Sequence, residues 1–186
     1  MEVLTIVVAT RNDGKLAELR ELLGGMGAYL VGAVAAELPE PEGAADTLEA
    51  AAIGKAREAT ARTGLVAVAE ETGLEVDALG GRPGVRSAHF AHDRATDAEN
   101  NAALLRALEE VDEANRGARF RTVLALSSPW SEEVLVEVGS SEGVIARAAR
   151  GGAGFGYQPL FVDALSAARG NGEFEPPSRR VVTSRA

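Results

Sequence analysis

The sequence predicts a single α/β domain, because short apolar runs typical of buried strands alternate with amphipathic helical segments. A strand over residues 4–9 is followed by a helix over residues 16–23, whose apolar residues recur at helical spacing. A second helix, over residues 48–63, leads into the apolar run LVAVA at residues 65–69, which predicts a buried strand.

The remaining elements fit the same class of fold. A short strand is predicted over residues 29–31, and a helix should begin at Thr96 or Asp97 and run to about residue 111. Two strands, over residues 120–127 and 133–138, are expected to pair across a turn that contains a proline.

Composition limits the class of protein. With 186 residues, of which 46% are apolar, the chain can bury a sizeable core and does not have a disordered composition. The absence of cysteine excludes a disulfide scaffold and thiolate chemistry, and two histidines make a histidine-rich zinc site improbable. The net charge of −9 argues against a nucleic-acid-coating protein, and no apolar run reaches membrane-spanning length. We therefore expect a cytoplasmic protein with neither nucleic acid nor membrane as its partner.

The stretch over residues 65–90 organises the chain. Its apolar run ends at Glu70 and Glu71, two carboxylates at the predicted exit of a buried strand. Such oxygen ligands suit Mg²⁺ and the activation of a water molecule, although a solvated strand end is the alternative. A glycine turn at residues 80–84 should then bring Arg86 and His89 back toward the same region.

A polar loop joins the first predicted strand to the first predicted helix, at a helix N-terminus that favours anions. Its residues are Thr10, Arg11, Asn12, Asp13, Gly14 and Lys15. The loop combines positive charge with neutral donors, so it is predicted to bind phosphate, with a simple capping turn as the alternative. It is not a Walker loop, because the GxxxxGK[ST] spacing is absent.

A glycine-rich loop, RGGAGFGYQPLF, covers residues 150–161. Glycines allow the backbone to approach a ligand closely. The loop is predicted to present Phe155 and Tyr157 as flat surfaces for a base, with Gln158 hydrogen bonding at the base edge. Packing of the two rings in a local core is the alternative.

On the helix over residues 48–63, Lys55 is expected to face solvent.

Taken together, TRNDGK, EETGLEVDALGGRPGVRSAHF and RGGAGFGYQPLF resemble the motifs of the inosine/xanthosine triphosphate pyrophosphatases, and they occur in the family order. The resemblance covers nearly the whole chain. It implies one domain over residues 1–186, with an elongated twisted mixed sheet flanked by helices and two lobes around a central nucleotide cleft. It also implies a homodimer that requires Mg²⁺ and hydrolyses purine nucleoside triphosphates (ITP, dITP or XTP) to the monophosphate and pyrophosphate.

The resemblance also implies the roles of individual residues. Glu71 would bind Mg²⁺ and activate the attacking water, Glu70 would be a second metal ligand, and Lys15 would act in catalysis as well as in binding. The other implied substrate contacts are Thr10, Arg11, Asn12, Asp13, Gly14, Thr72, Phe155, Gly156, Tyr157, Gln158, Arg179, Ser184 and Arg185.

Several of these positions depart from the family pattern. Glu71 stands where the family has aspartate, and Ala50 stands where it has a metal-binding glutamate. Gln158 replaces an aspartate and Ser184 replaces a histidine. The longer side chain of Glu71 should displace a base that needs accurate placement. Three functions therefore stay open: a Mg²⁺-dependent pyrophosphatase, a homologue that binds nucleotide with little turnover, and a different hydrolase that uses the same cleft on another phosphorylated metabolite.

Overall fold

The computed structural model describes residues 3–39, 45–150 and 155–164. The α-helices within these ranges are α1 (Asp13–Leu23), α2 (Leu48–Thr63) and α3 (Asp97–Ala107). The strands are β1 (Thr5–Val8), β2 (Tyr29–Gly32), β3 (Val66–Val76), β4 (Pro83–Gly84), β5 (Gly117–Ser128), β6 (Ser131–Ile145) and β7 (Phe161–Asp163). Among the described residues, no helix combines the length and the apolar character that crossing a membrane requires.

The strands form a mixed sheet in the order β2-β1-β3-β5-β6-β7, with β4 beside β3. β1 is parallel to both of its neighbours, and Ile6 lies opposite Leu30 on one side and Val66 on the other. β4 is antiparallel to β3, and β7 is antiparallel to β6. Parallel strands need crossover connections, which α1 and α2 provide. The prediction of a mixed α/β fold is confirmed.

The chain divides into two compact units. The first consists of Met1–Glu71 and Val123–Glu137, and the second of Thr72–Thr122 and Val138–Ala186. Each unit has an apolar core of its own, described separately below.

In the first unit, alternate residues of β1 pack against different helices. Ile6 and Val8 belong to a cluster that includes Leu16 of α1, whereas Val7 packs with Ala59 of α2. Successive side chains of a strand point to opposite faces, so one short strand fixes the position of both helices. This arrangement brings the N-terminus of α1 and the body of α2 to the same three-stranded region.

In the second unit, β3 and α3 supply the centre of the core. Leu74 and Leu104 are fully buried, and Tyr157 packs into the same cluster with 4% of its surface exposed. Phe120 contacts Phe161 edge to face, with 4.7 Å between the ring centroids. The segment around Tyr157 is therefore held by the core.

Each helix begins at a side chain that accepts a hydrogen bond from the first turn. Asn12 caps α1, Thr47 caps α2 and Thr96 caps α3. At α3 the cap is reciprocal, because Glu99 accepts from the Thr96 backbone N–H. These bonds lower the pKa of Glu99 below its usual value, with the Thr96 backbone bond as the largest cause. The predicted helix starts near residues 47 and 96 are confirmed.

Several predicted boundaries are wrong. α1 begins at Asp13 and not at residue 16, so the second half of the predicted loop over residues 10–15 lies in its first turn. The strand expected over residues 65–69 continues to Val76, so Glu70 and Glu71 lie within β3 and not at its exit. β6 extends to Ile145 instead of ending near residue 138, and α3 ends at Ala107 instead of continuing to about residue 111. The extensions of β3 and β6 contain polar residues and glycine, which have low intrinsic strand propensity, so the sequence does not predict them. In the structure, pairing with neighbouring strands stabilises them.

A buried arginine, Arg116, hydrogen bonds to backbone carbonyls at the C-terminal end of α3 and in the segments beside it. Arg116 is 2% exposed and donates hydrogen bonds to the carbonyls of Leu108 (2.6 Å), Val111 (3.2 Å) and Ala146 (3.1 Å). Burial, followed by the nearby charge of Arg147, lowers the pKa of Arg116. One buried side chain thus links the end of α3, the segment that follows it and the end of β6 through their backbone carbonyls.

We expect Arg116→Met to lower the free energy of unfolding by about 2–4 kcal/mol, because three carbonyls lose their hydrogen bonds from a buried guanidinium while an apolar stem is kept. Urea denaturation measures this change. The matched control is Arg106→Met, at an exposed position of α3, for which a change below about 0.5 kcal/mol is expected. Equal stability of the two variants would contradict the role given to Arg116.

Candidate active site

The first unit contains a cavity of about 320 Å³. The loop that follows β1 forms one wall, with Thr10 and Asn12, and α2 contributes Lys55. Glu70 and Glu71 of β3 also line the cavity. The predicted phosphate loop and the predicted acids therefore share one hollow within this unit.

Two lysine–glutamate pairs lie in this cavity. Lys15 Nζ is 3.1 Å from Glu70 Oε1, and Lys55 Nζ donates to Glu71 Oε1. The side chains of Glu70 and Glu71 are 18% and 19% exposed, and those of Lys15 and Lys55 are 33% and 31% exposed. Partial desolvation makes an unpaired charge costly, so each acid needs its lysine. The prediction that Lys55 faces solvent is wrong.

The backbone of the loop is fixed relative to β3. The Ala9 N–H donates to the Val68 carbonyl at 2.8 Å, and Val8 lies opposite Val68 in the parallel register. Glu70 follows Val68 by two residues in β3. The sheet register therefore determines the distance between the loop and the acids.

Asn12 caps the first turn of α1 with its side-chain oxygen, which leaves its side-chain N–H groups as donors. Its Oδ1 accepts from the Lys15 N–H at 3.1 Å, while the Thr10 hydroxyl oxygen accepts from the Asn12 N–H at 3.2 Å. The side-chain amide of Asn12 and the hydroxyl proton of Thr10 remain donors in this arrangement. A Cβ at Gly14 would lie 3.1 Å from Asn12 Oδ1, which is a tight contact at the cap.

The two other loop residues have different positions. Arg11 donates to the Leu38 carbonyl at 2.6 Å and lines the cavity, so its charge is anchored beside the loop. Asp13 is the first residue of α1 and is exposed. A carboxylate in the first turn favours the helix through the macrodipole and does not need a ligand to explain it.

The predicted base-contact residues that the structure describes lie in the second unit. Phe155 is 73% exposed, whereas Tyr157 is 4% exposed and its hydroxyl donates to the Ser87 carbonyl at 2.9 Å. Burial, and then the negative charge of Asp97, raise the pKa of Tyr157. Tyr157 was expected to present its ring to a base; the structure instead places that ring in the core.

The remaining predicted residues are placed as follows. Gln158 Oε1 accepts from the Phe155 N–H at 3.3 Å, and the Thr72 and Thr122 hydroxyls are 2.9 Å apart. Arg86, expected near the acids, pairs with Asp93 at 3.0 Å within the second unit. Three predicted substrate contacts lie outside the described residues: Arg179, Ser184 and Arg185.

A wider cavity of about 500 Å³ lies in the second unit. Its polar lining comes from exposed side chains, including Arg82, His92 and Arg106. Glu99, its one carboxylate, is held by Thr96. This cavity has no pair of carboxylates, so we place the candidate active site in the first unit.

The donor set of the first-unit cavity suits a metal ion that is also bound by phosphate. Among the residues described, no group of three or more histidine, cysteine, aspartate or glutamate side chains could hold a metal ion. Mg²⁺ does not need such a cage, since it commonly binds one or two carboxylates together with water and phosphate oxygens. Glu70 and Glu71 fit that requirement.

Comparison with known proteins gives one consistent family. Residues 6–185 match the Ham1 family. The dITP/XTP pyrophosphatase of Nitratidesulfovibrio vulgaris is 46% identical over 173 residues, which cover 89% of this chain and 83% of that protein. The dITP/XTP pyrophosphatase of Nocardia farcinica is 46% identical over 168 residues, with coverages of 87% and 80%.

Solved structures agree. A HAM1 protein from Coxiella burnetii superposes with a TM-score of 0.85 at 40% identity, covering 94% of this chain and 88% of that one. A nucleoside-triphosphatase (dITP/XTP pyrophosphatase) from Mycobacterium abscessus gives a TM-score of 0.76 at 42% identity, with coverages of 87% and 84%.

The lysines of the cavity should bind a phosphate chain. We expect Lys15→Met and Lys55→Met each to weaken the binding of inorganic pyrophosphate by about tenfold, because a charge-assisted hydrogen bond is lost. Isothermal titration calorimetry at fixed ionic strength measures the Kd. Arg57→Met is the matched control, since Arg57 is an exposed cation of the same helix outside the cavity lining. Equal losses in all three variants would show a general charge effect in place of a site.

Proposed function

This chain belongs to the Ham1 family, and we propose that it hydrolyses non-canonical purine nucleoside triphosphates, such as dITP and XTP, to the monophosphate and pyrophosphate. The relatives that are 46% identical over most of this chain are dITP/XTP pyrophosphatases. The structural observation that carries the proposal is the cavity in which Lys15 and Lys55 meet Glu70 and Glu71.

Charge balance explains how this cavity would accept a triphosphate. Its lining has three basic residues, Arg11, Lys15 and Lys55, and three acidic residues, Glu58, Glu70 and Glu71. When a triphosphate enters, the lysines exchange carboxylate oxygens for phosphate oxygens, so that each ammonium group keeps an anionic partner. The acids are then available for other roles.

Neutral donors complete the binding of the phosphates. The Thr10 hydroxyl and the Asn12 side-chain amide lie at the N-terminus of α1, where the helix dipole favours negative charge. Asn12 is oriented by its own capping bond to Lys15 N–H. These groups are preorganised, so they stabilise charge on the phosphates without a further cost of reorientation.

The reaction is attack by water at the α-phosphorus. The new bond joins the water oxygen to phosphorus, the bond from phosphorus to the bridging α–β oxygen breaks, and pyrophosphate leaves. Glu71 accepts the proton of the attacking water, while Lys15 and Lys55 stabilise the charge that develops on the phosphate oxygens.

Enzymes of this family are typically metal-dependent. Glu70 and Glu71 would hold Mg²⁺ together with phosphate oxygens, and the ion would supply charge neutralisation and a lower pKa for the attacking water. For the base, the resemblance predicts contacts from the turn at Phe155–Gln158. A homodimer in the cytoplasm and a two-lobed domain over residues 1–186 also stay predictions of the resemblance.

The departures from the family pattern keep one alternative open, a homologue that binds nucleotide with little turnover. Ala50 is exposed in the first turn of α2 and brings no oxygen ligand where the family pattern has glutamate. Glu49 is adjacent but about 100° away around the helix. Glu71 remains the candidate base, because its carboxylate lines the cavity and becomes available when Lys55 turns to a phosphate oxygen.

The proposed activity is tested by measuring pyrophosphate release from dITP. With Mg²⁺ the wild-type chain should turn over, and a chelator should abolish release. Glu71→Gln, which cannot accept a proton from water, should lower kcat at least about 100-fold. Glu133→Gln, at an exposed position of β6, is the control and should keep the wild-type kcat. Saturable binding of dITP by the wild type without pyrophosphate release would favour the alternative.

A further inference from the structure

We infer that Asp97 and Asn101 on α3 are positioning residues for the nucleobase, which act by holding the backbone of Gly156. Asp97 Oδ2 accepts from the Gly156 N–H at 2.6 Å, and Asn101 Nδ2 donates to the Gly156 carbonyl at 2.9 Å. Both polar backbone atoms of this glycine are thus bound by one helix. The inference rests on the proposed function, because it concerns the turn predicted to contact the base.

The turn needs such support because of its conformation. Gly156 has a φ of +59°, in the left-handed region. Glycine adopts this region without steric cost, but it also has many other accessible conformations. Phe155, next to it, is 73% exposed, and its backbone N–H and carbonyl are hydrogen bonded to Gln158 of the same turn. Hydrogen bonds from α3 therefore determine where the Phe155 ring is presented.

The other side of the turn is fixed through Tyr157. Its ring is buried, and its hydroxyl donates to the Ser87 carbonyl. Ser87 is itself held, since its hydroxyl donates to the Gly84 carbonyl at 2.6 Å and accepts from the Leu74 N–H at 2.8 Å. Tyr157 thus anchors the turn to the core, whereas Asp97 and Asn101 orient the exposed part.

The hydrogen bonding of Asn101 indicates a role other than stabilising the fold. Its Oδ1 is buried and, within the described part of the chain, has no hydrogen-bond partner. A buried carbonyl oxygen without a donor destabilises a fold, and an apolar side chain of similar shape would avoid that cost. The bond to Gly156 is what the asparagine supplies and leucine would not.

The test compares Asn101→Leu, Asp97→Ala and Asp97→Asn with the wild type, using dITP as the probe. Each of the first two should raise the KM for dITP by about tenfold with kcat within about twofold, because base binding is lost equally in the ground and transition states. Asp97→Asn keeps an acceptor oxygen and should restore KM to within about threefold of the wild type.

Stability separates positioning from a merely structural role. Asn101→Leu loses the bond to the Gly156 carbonyl but also removes a buried oxygen without a donor, so the melting temperature should change little while KM rises. Glu99→Ala is the matched control: it removes a carboxylate and half of the capping box of α3 without touching the turn. It should lower the melting temperature and leave KM unchanged.

Direct binding distinguishes failure of this inference from failure of the proposed function. Calorimetry with dITP in the absence of metal ion gives a Kd that does not depend on turnover. Wild type that binds dITP but releases no pyrophosphate removes the proposed function, while the Kd ratios still test positioning. An unchanged Kd and KM in both Asn101→Leu and Asp97→Ala would overturn the inference, as would a KM that rises only in parallel with loss of stability.

Discussion

The pairing of Lys15 with Glu70 and of Lys55 with Glu71 is the interaction on which the candidate site depends. Adjacent carboxylates in one strand repel each other, and both are partly buried, so the arrangement requires two cations close by. The same two lysines are the groups that a phosphate chain would attract. The two ion pairs therefore stabilise the folded state. They also place two lysines where a phosphate oxygen can replace the carboxylate oxygen as their partner.

The positions of these lysines follow from the sheet. β1 lies between β2 and β3, and its parallel register sets the loop of Thr10 and Asn12 beside β3. The capping bond of Asn12 fixes the start of α1 and hence the position of Lys15. The packing of α2, through Ala59 against Val7, similarly places Lys55. Apolar packing thus determines the geometry of a charged site.

Much of this could be predicted from sequence, where the signal is local. The helix over residues 48–63, the polar turn at Thr10 and the helix start at Thr96 depend on periodicity and on short-range hydrogen bonds, and these were predicted correctly. The continuation of β3 through Glu70 and Glu71 was missed, since two acids, a threonine and a glycine give a weak strand signal that pairing overrides.

Long-range contacts explain the other failures. Lys55 pairs with a residue 16 positions away, and nothing in its own helix distinguishes it from the exposed Arg57. Tyr157 resembles Phe155 in a glycine-rich loop, yet only Tyr157 reaches a core formed by distant strands. The bonds of Gly156 to Asp97 and Asn101 span more than fifty residues, and no pattern in the sequence announces them.

We propose that the cavity of the first unit holds the phosphates of the substrate against its two lysine–glutamate pairs. A crystal structure with a non-hydrolysable dITP analogue and Mn²⁺ tests it directly, because anomalous scattering locates the cation. We expect phosphate oxygens within hydrogen-bonding distance of Lys15 and Lys55, with the cation on Glu70 or Glu71. Phosphates bound elsewhere, with both lysine–glutamate pairs intact, would contradict it.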